Sequence, residues 1–570
     1  MGISCSLSQL QELGAFKNRA TDSLLGDIDI PEKEENRRPT NVKCLVILGA
    51  LLVIFLPFVI YTLCYANFAR IFDGYDKCGN ICGRDNSHWE GIECSGKDLR
   101  AYPYLEIESK YTGPTFKHNF RRQERQCVSS CKTDYTLMFG RCVNKLMEND
   151  MRSVGNKLFT EPRFHEKDLA LYFLSIKWQL IISCLLSVLV SSVMMFLFCH
   201  ASSLAIWGLL MGWFLASVLL TIAFWSFYLT LPDGGALPLI FGIPLTMLPL
   251  ILGIVFFMCM SKIRLIILLF KETTKVVFDI PRLVVVPFVC VIAVLSLLFI
   301  FNIVLTAMIS AGTLKKTWQE FYAYTWNFPM EIAFIYNLFV FIWLFYFLIS
   351  IQDMVIAGAA SKWYFNRDKS LISKPIRQSI GITFKYHLGS VALGALLNII
   401  FPVILLIMGL LKLFKAFNFK KTGGLFTILL TNACIVTAMH GRPLLRSGER
   451  AARLIIQYLG DIIVVNYVAD FVLLLAKLFI VIVNLLLASR VYSIAPGSVY
   501  DSDFMSYIIV AVVSLIVSTV FFGVFKITAN TFFICYCEDS LLNDGRVRPY
   551  FMTRNLMKFV EETKKVYDEK

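Results

Sequence analysis

The chain reads as an all-α polytopic membrane protein, with about ten transmembrane helices and a disulfide-bearing extracellular loop after the first. Two observations predict this. Apolar runs of roughly 20 residues, broken by short basic loops, recur from about residue 44 to residue 537. A run of about 20 apolar residues at helical rise matches the hydrocarbon thickness of a bilayer, and only helices or closed barrels satisfy the backbone there. The composition agrees: 57% of the 570 residues are hydrophobic and 17% charged, where a soluble domain is nearer about 25% charged. Mean hydropathy is +0.64.

The net charge of +14 would raise nucleic-acid binding in a soluble protein. Here Lys and Arg sit in loops and tails, where the rule of cytoplasmic positive charge accounts for them. No basic, aromatic-interleaved domain supports a nucleic-acid partner.

Taken in order, residues 1–43 form a polar tail of mixed charge, too polar for a cleavable signal peptide. Its start, Met1-Gly2-Ile3-Ser4-Cys5-Ser6, matches an N-myristoylation pattern at Gly2, with Cys5 as a palmitate acceptor beside it. The alternative is a plain disordered tail. Because the spans already hold the protein in the membrane, acylation would be regulatory at most.

The first transmembrane helix covers 44–65, and Arg37, Arg38 and Lys43 before it place the N-terminus in the cytoplasm. Residues 66–177 then form an extracellular cysteine-rich loop. It holds Cys78, Cys82, Cys94, Cys127, Cys131 and Cys142, an even set that predicts disulfides on the oxidising side. Six cysteines allow fifteen pairings, and the sequence does not choose among them. The two C-x-x-x-C units lack both ribbon spacing and paired His, which argues against zinc. The loop has no N-x-S/T sequon.

The bundle occupies 178–537, with spans at about 178–199, 203–229, 236–260, 284–309, 329–360, 387–411, 424–440, 468–488 and 505–537. Residues 538–570 are a cytoplasmic C-terminal tail, since ten spans put both termini inside. The inner loops carry the basic residues this requires, from Lys262 to Arg282, from Lys362 to Lys385 and from Arg442 to Arg453. One segment disagrees: Lys412, Lys415, Lys420 and Lys421 fall outside.

Several chemistries lack their motif. There is no G-x-x-x-x-G-K-S/T phosphate loop, no H-E-x-x-H and no G-x-S-x-G elbow. No cofactor box and no metal site is visible, and no catalytic residue is expected. His200, His387 and His440 lie near span ends and read as interfacial polar residues. A buried His387 or His440 acting as base in a membrane acyltransferase is the alternative.

Polar residues within lipid are expensive and are functional suspects. Asp470 and Lys477 share the ninth span, seven residues apart and so near one helical face, about 10 Å apart along the axis. Gln352 and Asp353 lie in the sixth span, followed by the small run Ala357-Gly358-Ala359-Ala360, which permits close helix approach. The fourth span carries Pro238, Pro244 and Pro249 among several glycines, a pattern that removes several helix hydrogen bonds and predicts either a broken helix whose freed carbonyls build a transporter site or kinks without function. Trp207, Trp213 and Trp225 on the third span and Tyr336, Trp343 and Tyr346 on the sixth belong to a large aromatic complement. Most such rings are interfacial anchors, but inward ones could cage a quaternary ammonium.

Several stretches resemble choline transporter-like proteins. FARIFDGYDKCGNICGRDN (68–86) and CVSSC (127–131) resemble the two cysteine groups of that family's outer loop. QDMVIAGAASKWYFNRDK (352–369) and RQSIGITFKYHLGSVALGALL (377–397) are similar to its most recognisable stretch. MHGRPLLRSGERAARLI (439–455), VADFVLLLAKLFIV (468–481) and FFICYCEDSLLNDGRVRPYFMTRNLMKFVEE (532–562) resemble its later blocks. Arg442-Pro443-Leu444-Leu445 replaces an N-F-C-T-like segment, which marks a divergent member.

The resemblance implies ten spans with both termini inside. It also implies plasma-membrane transport of choline or ethanolamine without sodium or ATP, with proton exchange in some members. A fixed +1 cation entering a negative-inside cell gains about 2.3 kcal/mol per 100 mV. From span position and chemistry, independently of the resemblance, Trp207, Tyr336 and Trp343 are cage candidates, and Asp353 or Asp470 the counter-charge. The competing classes are a membrane enzyme of lipid metabolism, whose D-G-x-x-A-R-type motif is absent, and a channel or receptor using the outer loop.

Overall fold

The computed structural model describes residues 30–87, 94–110, 122–132, 135–138, 141–144, 177–230, 236–316, 322–369, 372–410, 419–458, 462–494, 504–543, 549–553 and 557. The fold is all-α and polytopic. Helix α1 (Val42–Tyr65) runs the length of the bundle. Only Leu48 and Thr62 on it are buried, so most of its apolar side chains face outward, as lipid rather than water would have them.

Past the short helix α2 (Ala69–Phe72), the expected loop proves to be a folded layer. Strands β1 (Tyr104–Lys110), β2 (Arg122–Val128), β3 (Tyr135–Met138) and β4 (Arg141–Asn144) form one sheet in the order β2-β1-β4-β3. β1 pairs antiparallel with β2 from Tyr104 opposite Val128 to Lys110 opposite Arg122, and parallel with β4. All six cysteines are joined, as Cys78–Cys94, Cys82–Cys127 and Cys131–Cys142. A segment this small cannot bury a sufficient core, and cross-links replace part of what packing would supply.

Helix α3 (Lys177–Thr230) has 54 residues, which at about 1.5 Å per residue would be about 80 Å long, far more than one crossing. Non-helical backbone at Ala201 divides it into two limbs. Helix α4 (Ala236–Asp279) decides against a break in the fourth span: it continues over Pro244 and Pro249. Pro249 cannot donate to the carbonyl of Leu245. The Thr221 hydroxyl on α3 shares its one proton between its own Ser217 carbonyl at 2.9 Å and that carbonyl at 3.1 Å, so the neighbouring helix offers a donor where the proline leaves none.

A 3-10 turn (Pro281–Val284) leads into α5 (Val285–Ser310). A hairpin of β5 (Thr313–Lys316) and β6 (Tyr322–Thr325) then connects to α6 (Phe328–Phe365). This hairpin holds the disulfide layer onto the bundle. The Tyr324 hydroxyl donates to the Gly79 carbonyl at 2.7 Å. Arg70 lies 3.9 Å over the Tyr324 ring and donates to the carbonyls of Ser310 and Gly312. Burial lowers the Arg70 guanidinium from its ordinary value and pushes the Tyr324 phenol up to about 12.

The remaining helices are α7 (Pro375–Ile382), continued through a π turn (Thr383–His387) into α8 (Leu388–Leu410), then α9 (Phe419–His440), α10 (Leu444–Tyr458), α11 (Ile462–Ile494) and α12 (Phe504–Leu542). Among the described residues seven helices are long and apolar enough to cross a membrane, and the two limbs of α3 lie within one of them. Helix α10 is amphipathic: Leu444, Ser447, Ala451, Leu454 and Ile455 are buried, at helical spacing, beneath Arg446, Glu449 and Arg453. Helix α12 is the mast of the core and packs against α3, α4, α5, α6, α9, α10 and α11. The small run on α6 is buried against α7, where the Ser379 hydroxyl donates to the Val355 carbonyl at 2.8 Å beside Gly358.

At the end of the bundle away from the disulfides, two terminal segments strap the helices together. In the first, Arg37 is 5% exposed. It donates to the carbonyls of Ala438 and Met439 at the end of α9 (2.8 and 3.1 Å), to Glu32 O and to His387 Nε2 (3.0 Å). A guanidinium only donates, so Nε2 accepts, and the ring gives its Nδ1 proton to the Thr40 hydroxyl at 3.0 Å. The carbonyls at a helix C-terminus welcome a cation. Burial nevertheless lowers Arg37 to about 10. Gly441, at φ +67°, turns the chain beneath Arg37 where a side chain would be strained.

In the second strap, Asp539 accepts from the backbone N–H groups of Phe551 and Met552 and from the Tyr364 hydroxyl. Glu272 on α4 accepts from the Thr553 hydroxyl at 2.8 Å. Lys369 caps the end of α6 through carbonyls that include Tyr364 and Asn366, and burial lowers it to about 8.

Arg37→Ala leaves His387 and two helix-end carbonyls without their buried donor. It should lower unfolding stability by about 3–5 kcal/mol, read as a drop in melting temperature in detergent. Arg37→Lys should recover only part, because an ammonium lacks the planar fork. An unchanged melting temperature in Arg37→Ala would contradict the strap.

Candidate functional site

The polar residues that the sequence buries in apolar runs meet in one place, where α12 packs against both α6 and α11. Seven residues separate Asp470 from Lys477, which puts both on one face of α11. Lys526 stands on α12, one turn beyond Gly523, and so on the same face as that glycine. The Lys526 ammonium donates to Asp470 Oδ2 at 3.2 Å, and each side chain is about a third exposed.

Asp353 approaches from α6, about two-thirds of the way along that helix. Its Oδ1 lies 3.9 Å from where a Cβ on Gly523 would be, and the Gln352 side-chain nitrogen lies 3.0 Å from the same point. Gln352 is fixed there by donating to the Val520 carbonyl at 2.9 Å, and its Oε1 is buried without a partner. Asp353 itself is half-buried and has no direct ion-pair partner among the described residues. Lys526 and Lys477 act on it through space. The result is two acids and two ammonium groups at membrane depth, one pair closed and one acid open beside an unpaired amide oxygen.

The two acidic candidates, Asp353 and Asp470, are thus brought together by the fold. The three aromatic candidates are not. Tyr336 donates to the Leu51 carbonyl at 2.7 Å and packs on Phe55 and Phe58, which ties α6 to α1. Trp343 is 1% exposed and donates from its indole to the Ala392 carbonyl at 3.1 Å, in the seam of α1, α6 and α8. Trp207 stands apart, edge-on to Phe256 at 5.9 Å. Phe256 lines a small apolar cavity between α3, α4 and α11, together with Trp213, Phe214 and Phe471. On α11 that cavity is lined by Val468, Phe471, Val472 and Leu475, the face opposite Asp470 and Lys477.

Lys526 is the member of the cluster that the sequence reading missed. Its signal was present: it is the single charged residue within the apolar run 505–537. The three histidines near span ends have local partners. His387 is held by Arg37 and Thr40, His440 donates to Glu538 at 2.8 Å, and His200 contacts the Phe196 carbonyl. Glu538 also takes a fork from Arg450 at 2.6 and 2.7 Å. Gly2 and Cys5, the acylation candidates, lie outside the described residues.

The chain matches the plasma-membrane choline transporter family over residues 243–541, a stretch that contains all four charged residues of the cluster. It is 24% identical to choline transporter-like protein 1 of Mus musculus over 588 aligned residues, covering 88% of this chain and 89% of the relative. Choline transporter-like protein 1 of Torpedo marmorata is 27% identical, covering 54% of this chain and 50% of its own. The protein of that name in Caenorhabditis briggsae reaches 31% over 251 residues, 40% of this chain and 32% of its own. With more than half of its length matching that family, and 88% of it aligned with a relative of the same kind, the chain belongs to the plasma-membrane choline transporter family.

Proposed function

We propose that this protein carries choline across the plasma membrane by alternating access, with Asp353 as the counter-charge of the bound cation and Asp470 as its partner acid. The observation that carries the reading is the open Asp353 beside the closed Asp470–Lys526 pair. A quaternary ammonium cannot shed its charge, so its passage through hydrocarbon needs a fixed anion and a shielded route. The third of the Lys526 and Asp470 side chains that stays open is best accommodated by such a route, since ions exposed to lipid are costly.

The finer points follow from charge. Ethanolamine would suit the same acid, with the unpaired Gln352 Oε1 available to its ammonium protons. Membrane potential suffices to drive a fixed cation inward at about 2.3 kcal/mol per 100 mV, so neither sodium nor ATP is required. A proton could balance the return step by occupying an emptied acid. In this orientation both termini are cytoplasmic and the disulfide layer is extracellular, where such bonds persist. Among the aromatic candidates, Trp207 adjoins, through Phe256, an apolar cavity on the face of α11 away from the acids, and it is proposed to act there by packing. Tyr336 and Trp343 are proposed to act through the α1 seam.

Reconstituted into liposomes, the purified protein should take up labelled choline saturably, with a potential and without sodium. A non-saturating or absent flux would contradict the carrier. Asp353→Asn should lower kcat/KM for choline by roughly 30-fold or more while leaving the melting temperature near that of wild type, because Asp353 has no direct partner to lose. Asp353→Asn transport equal to wild type would remove Asp353 from the site. Trp343→Ala should cost about 3–5 kcal/mol of stability with flux per folded molecule little changed. Flux lost in Trp343→Ala but kept in Trp343→Phe, at equal stability, would return Trp343 to the cage.

A further inference from the structure

Resting on that function, we infer that Lys526 is the carrier's resident counter-cation: it neutralises the site when choline is absent, so that the empty protein can return across the membrane. With both carboxyl groups ionised, Asp353 and Asp470 contribute two negative charges, matched by the ammonium groups of Lys477 and Lys526. The empty site is therefore neutral, and the choline-loaded site carries a single positive charge. Potential acts on the loaded step, and the return step meets no electrostatic barrier of its own.

The geometry gives Lys526 rather than Lys477 this role. Lys526 stands on α12, which packs against both acid-bearing helices, whereas Lys477 shares α11 with Asp470. The Lys526 ammonium is on Asp470 at 3.2 Å. Its root is one helical turn from Gly523, the glycine that Asp353 Oδ1 overhangs. A Cβ on Gly523 would crowd the Gln352 side-chain nitrogen at 3.0 Å, so the glycine lets α6 bring Asp353 close to the turn of α12 that carries Lys526. With Lys526 held by Asp470, as here, Asp353 is open to substrate. With the substrate gone, the same ammonium can lean toward Asp353.

The consequence is specific to one half of the cycle. Without Lys526 the empty carrier must move with an uncompensated negative charge, while the loaded carrier becomes neutral. Lys526→Gln should therefore lower net uptake into choline-free liposomes by at least about tenfold more than it lowers exchange between choline-loaded liposomes and labelled choline. Lys526→Arg, which keeps the charge, should restore net uptake. Equal loss of uptake and exchange in monodisperse protein, or loss of neither, would overturn the inference.

A second pair of variants tests it should Lys526→Gln fold poorly. Asp470→Asn leaves an extra positive charge at the site and should weaken choline binding by about tenfold or more. Asp470→Asn combined with Lys526→Gln restores the neutral empty site and should recover net uptake. A double variant no better than Asp470→Asn would overturn the inference. Wild-type protein that moves no choline would remove the function itself, and this inference with it. Normal wild-type flux combined with any of the adverse variant results would remove the inference alone.

Discussion

A charge inside hydrocarbon must find a counter-charge or water, and this constraint organises the membrane half of the protein. Helix α12 is the element that meets it. Its phenylalanines Phe521, Phe522 and Phe525 fill the centre of the core, two of them packed edge-on or tilted around Phe198 of α3. That packing fixes the axis on which Lys526 stands. Gly523 sits one turn away, and the absence of its side chain lets Gln352 and Asp353 reach the same point from α6. A helix wrapped in apolar neighbours thus delivers one lysine and one gap to a site that two other helices supply with acid.

The two ends of the bundle are secured by different means, and each suits its solvent. At one end the small disulfide layer is locked to the bundle by Arg70, whose donors end on helix and hairpin carbonyls beneath the Tyr324 ring. At the other, Arg37 enters between α8 and α9 and satisfies carbonyls at a helix end. Both are buried arginines that donate to backbone oxygens. An arginine used in this way supplies several directed hydrogen bonds from one planar group, which a lysine would not. Such contacts can be released as a unit.

Much of the bundle was legible in the sequence because one rule, the length and purity of an apolar run, decides helix position in lipid. The turn at Ala201 falls between the runs 178–199 and 203–229 for that reason. The rule is silent about polar segments. The sheet of β1 to β4, the hairpin of β5 and β6 and the amphipathic helix α10 were read as loops, since short strands and a basic helix carry no hydropathy signal of that kind. The prolines of α4 left a break open because the sequence shows which carbonyl is freed but not that Thr221 will offer it a donor. Asp353 and Asp470 were legible as costly residues in lipid. Their meeting was not, because it depends on the rotation of α6, α11 and α12, which packing sets. The aromatic candidates show the same limit: composition marks a ring, and only the fold shows that Trp343 spends its indole N–H on Ala392.

The central claim is that Asp353 is the open anion to which a permanently charged ligand binds. It is tested most directly by equilibrium binding of labelled choline to the purified protein and to Asp353→Asn, in detergent, at matched stability. The account predicts saturable binding to the wild type that Asp353→Asn abolishes or weakens by roughly 30-fold or more. Choline bound equally well by both proteins would contradict it.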